Sequence, residues 1–339
     1  MPGRHRSRML AALGLLAVVL AVTDTPLPSR DPRTRRTSPG MTARRSHERL
    51  RSVCAGDRPP LPEALFYELR AGAFPGSGRP DVAVHVPPGF DASRRPGALI
   101  YFHGWNGCVT TALGDDDAPC SDGGDVRPAA GLAAQLDDAR ANALLVAVEL
   151  RADMATGEPG QMAMPSGLRD LLGELFREHL AEPLGCTLEV DGLDRVVLVT
   201  HSGGYQAAAG VLQYGDVPQI TEVDLLDSLY GAQEVFSEWM QDEMARFDPR
   251  VDASLRFVDL YTLGGGTFDR SRVMASFAKG AASDAGLPDL VYDDDGDDDL
   301  GEDALAHAIV FKRVPREHPD LPRVYLRPLI ESAGFARRD

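Results

Sequence analysis

Positive charge is scarce in this chain, and lysine is almost missing. Only Lys279 and Lys312 are lysines among 339 residues; arginine supplies the other cations. Lys and Arg together number 35 against 51 Asp and Glu, a formal net charge of −16. The deficit is uneven. Residues 1–58 hold 12 Arg and 4 acids, a net +8, so residues 59–339 carry −24. A surface that acidic repels nucleic acid and anionic membranes, which removes both from the expected partners. Solubility in a salty medium explains the acidity better than a cationic substrate does.

Cysteine is also sparse, and no Cys/His spacing resembles a zinc site, so no metal is expected. Long apolar runs are confined to one stretch, Met9 to Val22. Its fourteen residues fall short of the ~20 that a membrane span needs. Arg4, Arg6 and Arg8 precede it and the small-residue site Ala21-Val22-Thr23 closes it, the pattern of a signal peptide over 1–23. A true start at Met9 or Met41 is the alternative. No cysteine follows closely, which argues against a lipoprotein. Residues 24–58, rich in Arg, Pro, Ser and Thr, read as a disordered linker. One domain is then expected over 59–339, in a secreted or periplasmic protein. An even number of cysteines in an exported chain suggests disulfides. Cys108 and Cys120 bracket 11 residues, the cheapest closure, which leaves Cys54 with Cys186.

From residue 60 onward strand-like and helix-like runs alternate. Strands are expected at 82–86, 98–102, 143–150, 195–199, 222–226, 255–263 and 306–314. Helices are expected at 131–141, 167–180, 206–210, 234–247, 271–279 and 321–333. In 167–180, Leu168, Leu171, Leu172, Leu175 and Phe176 recur at helical spacing. Such alternation implies an α/β fold, a mainly parallel central sheet with helices on both faces. Ligands bind such sheets beyond the carboxyl ends of the strands. The polar residues expected there are His103, Ser202, Asp227, Asp269 and His318.

The run Arg195-Val196-Val197-Leu198-Val199-Thr200-His201-Ser202-Gly203-Gly204 carries the most information. An apolar strand stops, a serine sits at the corner, and a small-residue helix follows. This is the layout of a nucleophile elbow, with Thr200 where the first glycine of Gly-x-Ser-x-Gly usually stands. Together with Phe102-His103-Gly104-Trp105-Asn106, it makes residues 80–337 resemble the α/β-hydrolase superfamily.

The resemblance implies a serine hydrolase of the esterase or lipase kind, or an amidase, with no cofactor. Ser202 is then the nucleophile and His318, after the last strand, the base. The Gly203 N–H and a backbone N–H of Trp105 or Asn106 would form the oxyanion hole. The acid is Asp227 or, as the alternative, Asp269. Asp227 directly follows an apolar strand, where an idle carboxylate is costly to bury, whereas Asp269 fits a helix N-cap. His201 is expected to point away from Ser202, because strand neighbours alternate. His307 falls at the opposite end of the last strand and His179 on a helix surface.

The acidic run from Asp293 to Glu302 places Asp293, Asp295, Gly296 and Glu302 at EF-hand positions three, five, six and twelve. Val291 at position one cannot ligate, so a solvated loop is expected. Trp239, Met240 and Met244 suit either an acyl pocket or the core, and Met154, Met162 and Met164 either the site border or packing. The expected substrate is a small-molecule or acyl ester or amide, acted on by a monomer without stable membrane association. Acyl transfer through the same residues, or a non-catalytic binding module on the same scaffold, are the alternatives.

Overall fold

A computed structural model describes residues 61–120, 124–151, 154, 157–247 and 255–338. The expected signal peptide, the linker and the Cys54 half of the second disulfide lie outside the described residues. Among the described residues, no helix is long and apolar enough to cross a membrane.

Nine strands form one sheet: β1 (Leu65–Tyr67), β2 (Val82–His85), β3 (Gly97–Phe102), β4 (Ala143–Val148), β5 (Arg195–His201), β6 (Ile220–Leu226), β7 (Arg256–Tyr261), β8 (Val291–Asp294) and β9 (Ile309–Arg313). Their order across the sheet is β1-β2-β4-β3-β5-β6-β7-β9-β8. Only the β1–β2 and β2–β4 pairings are antiparallel; the rest are parallel. This is the α/β-hydrolase arrangement. The chain reverses its direction of travel across the sheet around β3, β4 and β5, so crevices open at their carboxyl ends.

Among the described residues, the helices longer than one turn are α1 (Val109–Leu113), α2 (Leu132–Ala139), α3 (Gly167–Glu174), α4 (Tyr205–Tyr214), α5 (Gln233–Met244), α6 (Phe268–Asp284) and α7 (Leu321–Ser332), and Ala181–Leu184 and Glu302–Leu305 form single helical turns. Helices α1, α2 and α7 cover one face, packing on Leu99, Tyr101, Leu145, Val197, Val199 and Val258. Helices α3 to α6 cover the other, packing on Ile100, Phe102, Val146, Leu198, Val223 and Phe257. Every central strand is therefore buried on both sides, which is why β3 and β4 read as unbroken apolar runs. The expected helix at 167–180 divides into α3 and one π-helical turn, Leu175–His179, closed by the Leu180 N–H on the Leu175 carbonyl at 2.9 Å. Leu168, Leu171, Leu172, Leu175 and Phe176 are all fully buried. Truncating one, as in Leu172→Ala, costs about 2–5 kcal/mol.

The acidic run departs from the expected solvated loop only at its start, while Asp295, Asp297, Asp298, Asp299 and Glu302 are exposed. Asp293 and Asp294 end β8, an edge strand parallel to β9. Asp294 meets buried Lys312 at 2.6 Å, and Asp293 meets Lys279 at 2.6 Å and Arg272 at 3.4 Å. Arg313 and Arg316 pair with Asp297 and Asp299. Both lysines of the chain are thus spent on these carboxylates. In the stretch between Cys108 and Cys120, α1 buries Val109, Ala112 and Leu113. The Cys108–Cys120 disulfide is formed, with the α-carbons 5.7 Å apart.

Candidate active site

The site grows from the carboxyl edge of β5. Val196 to Val199 are fully buried, and the strand ends when the backbone turns left-handed at Ser202, φ 53°. Such a conformation costs a non-glycine residue about 1–3 kcal/mol and persists only when its surroundings enforce it. A 3-10 turn, Ser202–Gly204, then leads into α4. Ser202 remains partly exposed while Gly203 and Gly204 are buried. The loop after β3 lies against it. A Cβ on Gly104 would collide with the Ser202 side chain, so only glycine permits this approach.

His103 organises that loop. The Leu150 N–H donates to its Nε2 at 2.9 Å, which leaves the ring proton on Nδ1 to donate to the Gly104 carbonyl at 2.8 Å. The turn closes with the Gly107 N–H on the Gly104 carbonyl at 3.0 Å, through a left-handed Asn106, φ 61°. Trp105 projects outward, 52% exposed. The disulfide begins one residue after this turn.

Asp227 follows β6 as a second left-handed corner, φ 48°, and is fully buried. Its Oδ2 accepts from His318 Nδ1 at 2.8 Å and from Thr262 Oγ1 at 2.6 Å. Its Oδ1 accepts from the Thr262 N–H at 3.3 Å and from the Thr267 hydroxyl. Burial alone would raise this carboxyl, but the bonds from His318, Thr262 and Thr267 outweigh it and hold it below the usual carboxylate range. A Cβ on Gly265 would strike the same carboxylate. Asp269, the alternative, is exposed in the first turn of α6. The structure therefore brings His318 to Asp227 and leaves Asp269 outside.

His201 lies against His318. Its Nε2 lies 2.9 Å from the His318 carbonyl, and its ring stacks on the His318 ring with centroids 4.6 Å apart. Val197 and Val199 lie on the side of the sheet that α7 covers, and strand alternation places His201 on that side too, next to the segment that opens α7. Burial, then the neighbouring His318, pulls the His201 imidazole down to about 3, so it serves as a neutral donor. Tyr230 was not foreseen at all. Its hydroxyl donates to the Gly265 carbonyl, and its ring stands edge-on to His318 at 6.4 Å. The signal was available: Tyr230 lies three residues past Asp227 in the same strand-end loop.

Other candidates fall elsewhere. Met240 and Met244 are buried, and Trp239 packs against the same core. Met162 is fully buried, whereas Met164 borders a cavity of about 850 Å³ with Phe74, Pro75, Arg151 and Gln161 that does not include Ser202. His307 sits before β9, its Nδ1 3.0 Å from the Asp289 carbonyl, and His179 packs on Tyr67. Among the described residues, one acid-histidine cluster has metal-ligand spacing: Glu174, Glu178 and His179. Arg70 occupies it, at 3.2 Å from Glu174 and 2.6 Å from Glu178.

No protein-family model matches the chain, and no curated protein sequence does. Solved structures do resemble it. A feruloyl esterase module from Clostridium thermocellum complexed with sinapinate has a TM-score of 0.44 at 11% identity, covering 82% of this chain and 92% of that one. A siderophore hydrolase from Aspergillus nidulans has a TM-score of 0.40 at 10% identity, covering 84% and 99%. A serine hydrolase without a lid from Xanthomonas campestris has a TM-score of 0.33 at 14% identity, covering 81% and 95%.

Proposed function

We propose that this chain is a serine hydrolase that cleaves a carboxylic ester or amide through an acyl-enzyme on Ser202. The observation that carries the reading is the 2.8 Å contact between His318 Nδ1 and buried Asp227, beside a strained, partly exposed serine at a strand-to-helix corner. A carboxylate at Nδ1 keeps the ring proton there and leaves Nε2 free to accept.

Ser202 Oγ attacks the acyl carbonyl while His318 Nε2 takes its proton. The negative oxygen of the tetrahedral intermediate rests on the N–H groups of Gly203 and of Trp105 or Asn106. Two such donors form the largest electrostatic contribution, and losing one costs about 3 kcal/mol. His318 then returns the proton to the leaving alcohol or amine. Water, activated by the same imidazole, releases the acid. Each step uses side chains and peptide groups of this chain alone. Export is part of the proposal: the Cys108–Cys120 disulfide supports an oxidising compartment, in line with the basic and apolar N-terminus.

The test is covalent. A fluorophosphonate probe should label the folded protein stoichiometrically, and Ser202→Ala should abolish both labelling and hydrolysis of p-nitrophenyl acetate. A folded wild-type protein that takes up no label and turns over no ester refutes the reading in favour of a binding module.

A further inference from the structure

Thr200 stands where the resemblance calls for glycine, and its surroundings show what replaces the missing space. It is fully buried, and its hydroxyl donates to Ser228 Oγ at 2.8 Å. Ser228, also fully buried, donates onward to the main-chain carbonyl of Ser202 at 2.7 Å. Each hydroxyl donates once and in the same direction, so the two bonds polarise one another. The relay also joins the two left-handed corners of the site. Ser228 directly follows Asp227, φ 48°, and its bond ends on Ser202, φ 53°.

The gripped atom matters because of peptide planarity. The carbonyl of Ser202 and the N–H of Gly203 belong to one rigid plane and point in opposite directions. Holding the carbonyl therefore aims the N–H. We infer that Thr200 and Ser228 are positioning residues that orient the Gly203 N–H toward the oxyanion, Ser228 by direct contact and Thr200 through Ser228. The inference rests on the reading of Ser202 as nucleophile. The bond to the Ser202 carbonyl also draws electron density from that peptide and makes its N–H a better donor. The effect belongs to the transition state, where the charge develops, and so to kcat and not to KM.

The experiment compares Thr200→Val, Ser228→Ala, the double variant and Thr200→Ser on p-nitrophenyl acetate. Thr200→Val keeps the shape and deletes the hydroxyl; Thr200→Ser keeps the hydroxyl and deletes packing. Thr200→Val and Ser228→Ala should each lower kcat about tenfold, the upper end of what one hydrogen bond contributes, with KM unchanged. The double variant should match the single ones, and Thr200→Ser should keep wild-type kcat despite lower thermal stability. Wild-type kcat in Thr200→Val, or losses that multiply in the double variant, would overturn the relay. A second readout is independent of turnover. The Gly203 amide resonance should move in Thr200→Val and Ser228→Ala but stay in place in Thr200→Ser. Wild-type protein that neither labels nor hydrolyses overturns the hydrolase reading, whereas an unmoved Gly203 amide overturns the relay itself.

Discussion

Replacing Asp227 by asparagine probes the site at its most constrained point. The four groups around this carboxylate are not equivalent. Oδ1 receives the backbone N–H of Thr262, which cannot rotate, together with the Thr267 hydroxyl. Oδ2 receives His318 Nδ1 and the Thr262 hydroxyl. An amide placed here must keep its oxygen toward the fixed N–H and so turns its NH2 toward His318. The ring then has to accept at Nδ1, which moves its proton to Nε2, the atom that should take the serine proton. The wrong tautomer is expected to cut kcat about 10⁴-fold, roughly 5.5 kcal/mol of activation free energy. Loss of the charge-assisted bond should lower stability by only about 1.5–3 kcal/mol, so the variant folds. A control is built into pH. The folded-state pKa of Asp227 is depressed, so its contribution is present above the unfolded-state value and is lost as pH falls through the folded one. The stability gap between wild type and variant should therefore narrow in acid. The assay is p-nitrophenyl acetate hydrolysis beside thermal unfolding, with Asp269→Asn in parallel. Near-normal turnover in Asp227→Asn, with Asp269→Asn inactive, would refute the reasoning and move the role to Asp269.

Three further outcomes are expected. Asp259, fully buried on β7, is pushed by burial up to about 8, so its folded-state pKa exceeds the unfolded one. Stability should decline by up to about 1.4 kcal/mol per pH unit between roughly pH 4 and 8 on its account. Asp259→Asn should flatten that slope in unfolding experiments; an unchanged slope contradicts the assignment. Replacing Cys108 and Cys120 together by serine should cost about 2–3 kcal/mol, as for other loops of this size, measured by denaturant unfolding. A cost near zero would show that α1 and the antiparallel pairing of Ala118–Pro119 with Val126–Arg127 hold the loop unaided. Calcium at millimolar concentration should leave the unfolding temperature unchanged, because Arg272, Lys279, Lys312, Arg313 and Arg316 already pair with Asp293, Asp294, Asp295, Asp297 and Asp299. A calcium-dependent rise would mean that the ion displaces those cations.

The order of strands and helices was legible in the sequence because burial on both sheet faces imposes unbroken apolar runs such as Ala143 to Val148. The elbow was legible because a strained corner with close neighbours demands small residues in consecutive places. Other features left no local trace. The carboxylates of Asp293 and Asp294 read as a hydrated run, since the two lysines and one arginine that meet them come from α6 and β9. The contact of His201 with the His318 carbonyl left no trace because the two residues are 117 positions apart. Thr200 read as a flaw in the elbow, because its partner, Ser228, is 28 residues distant.

By itself, then, the chain determined seven of the nine strands of the sheet and which serine stands at its bend, since these follow from the periodicity and size of adjacent residues. The choice between Asp227 and Asp269 as the carboxylate beside His318, the turning of His201 onto that ring and the use made of the Thr200 hydroxyl were decided only in three dimensions. Each depends on donors and acceptors brought together from separate strand ends, and hydrogen bonding acts over distances that sequence order does not measure.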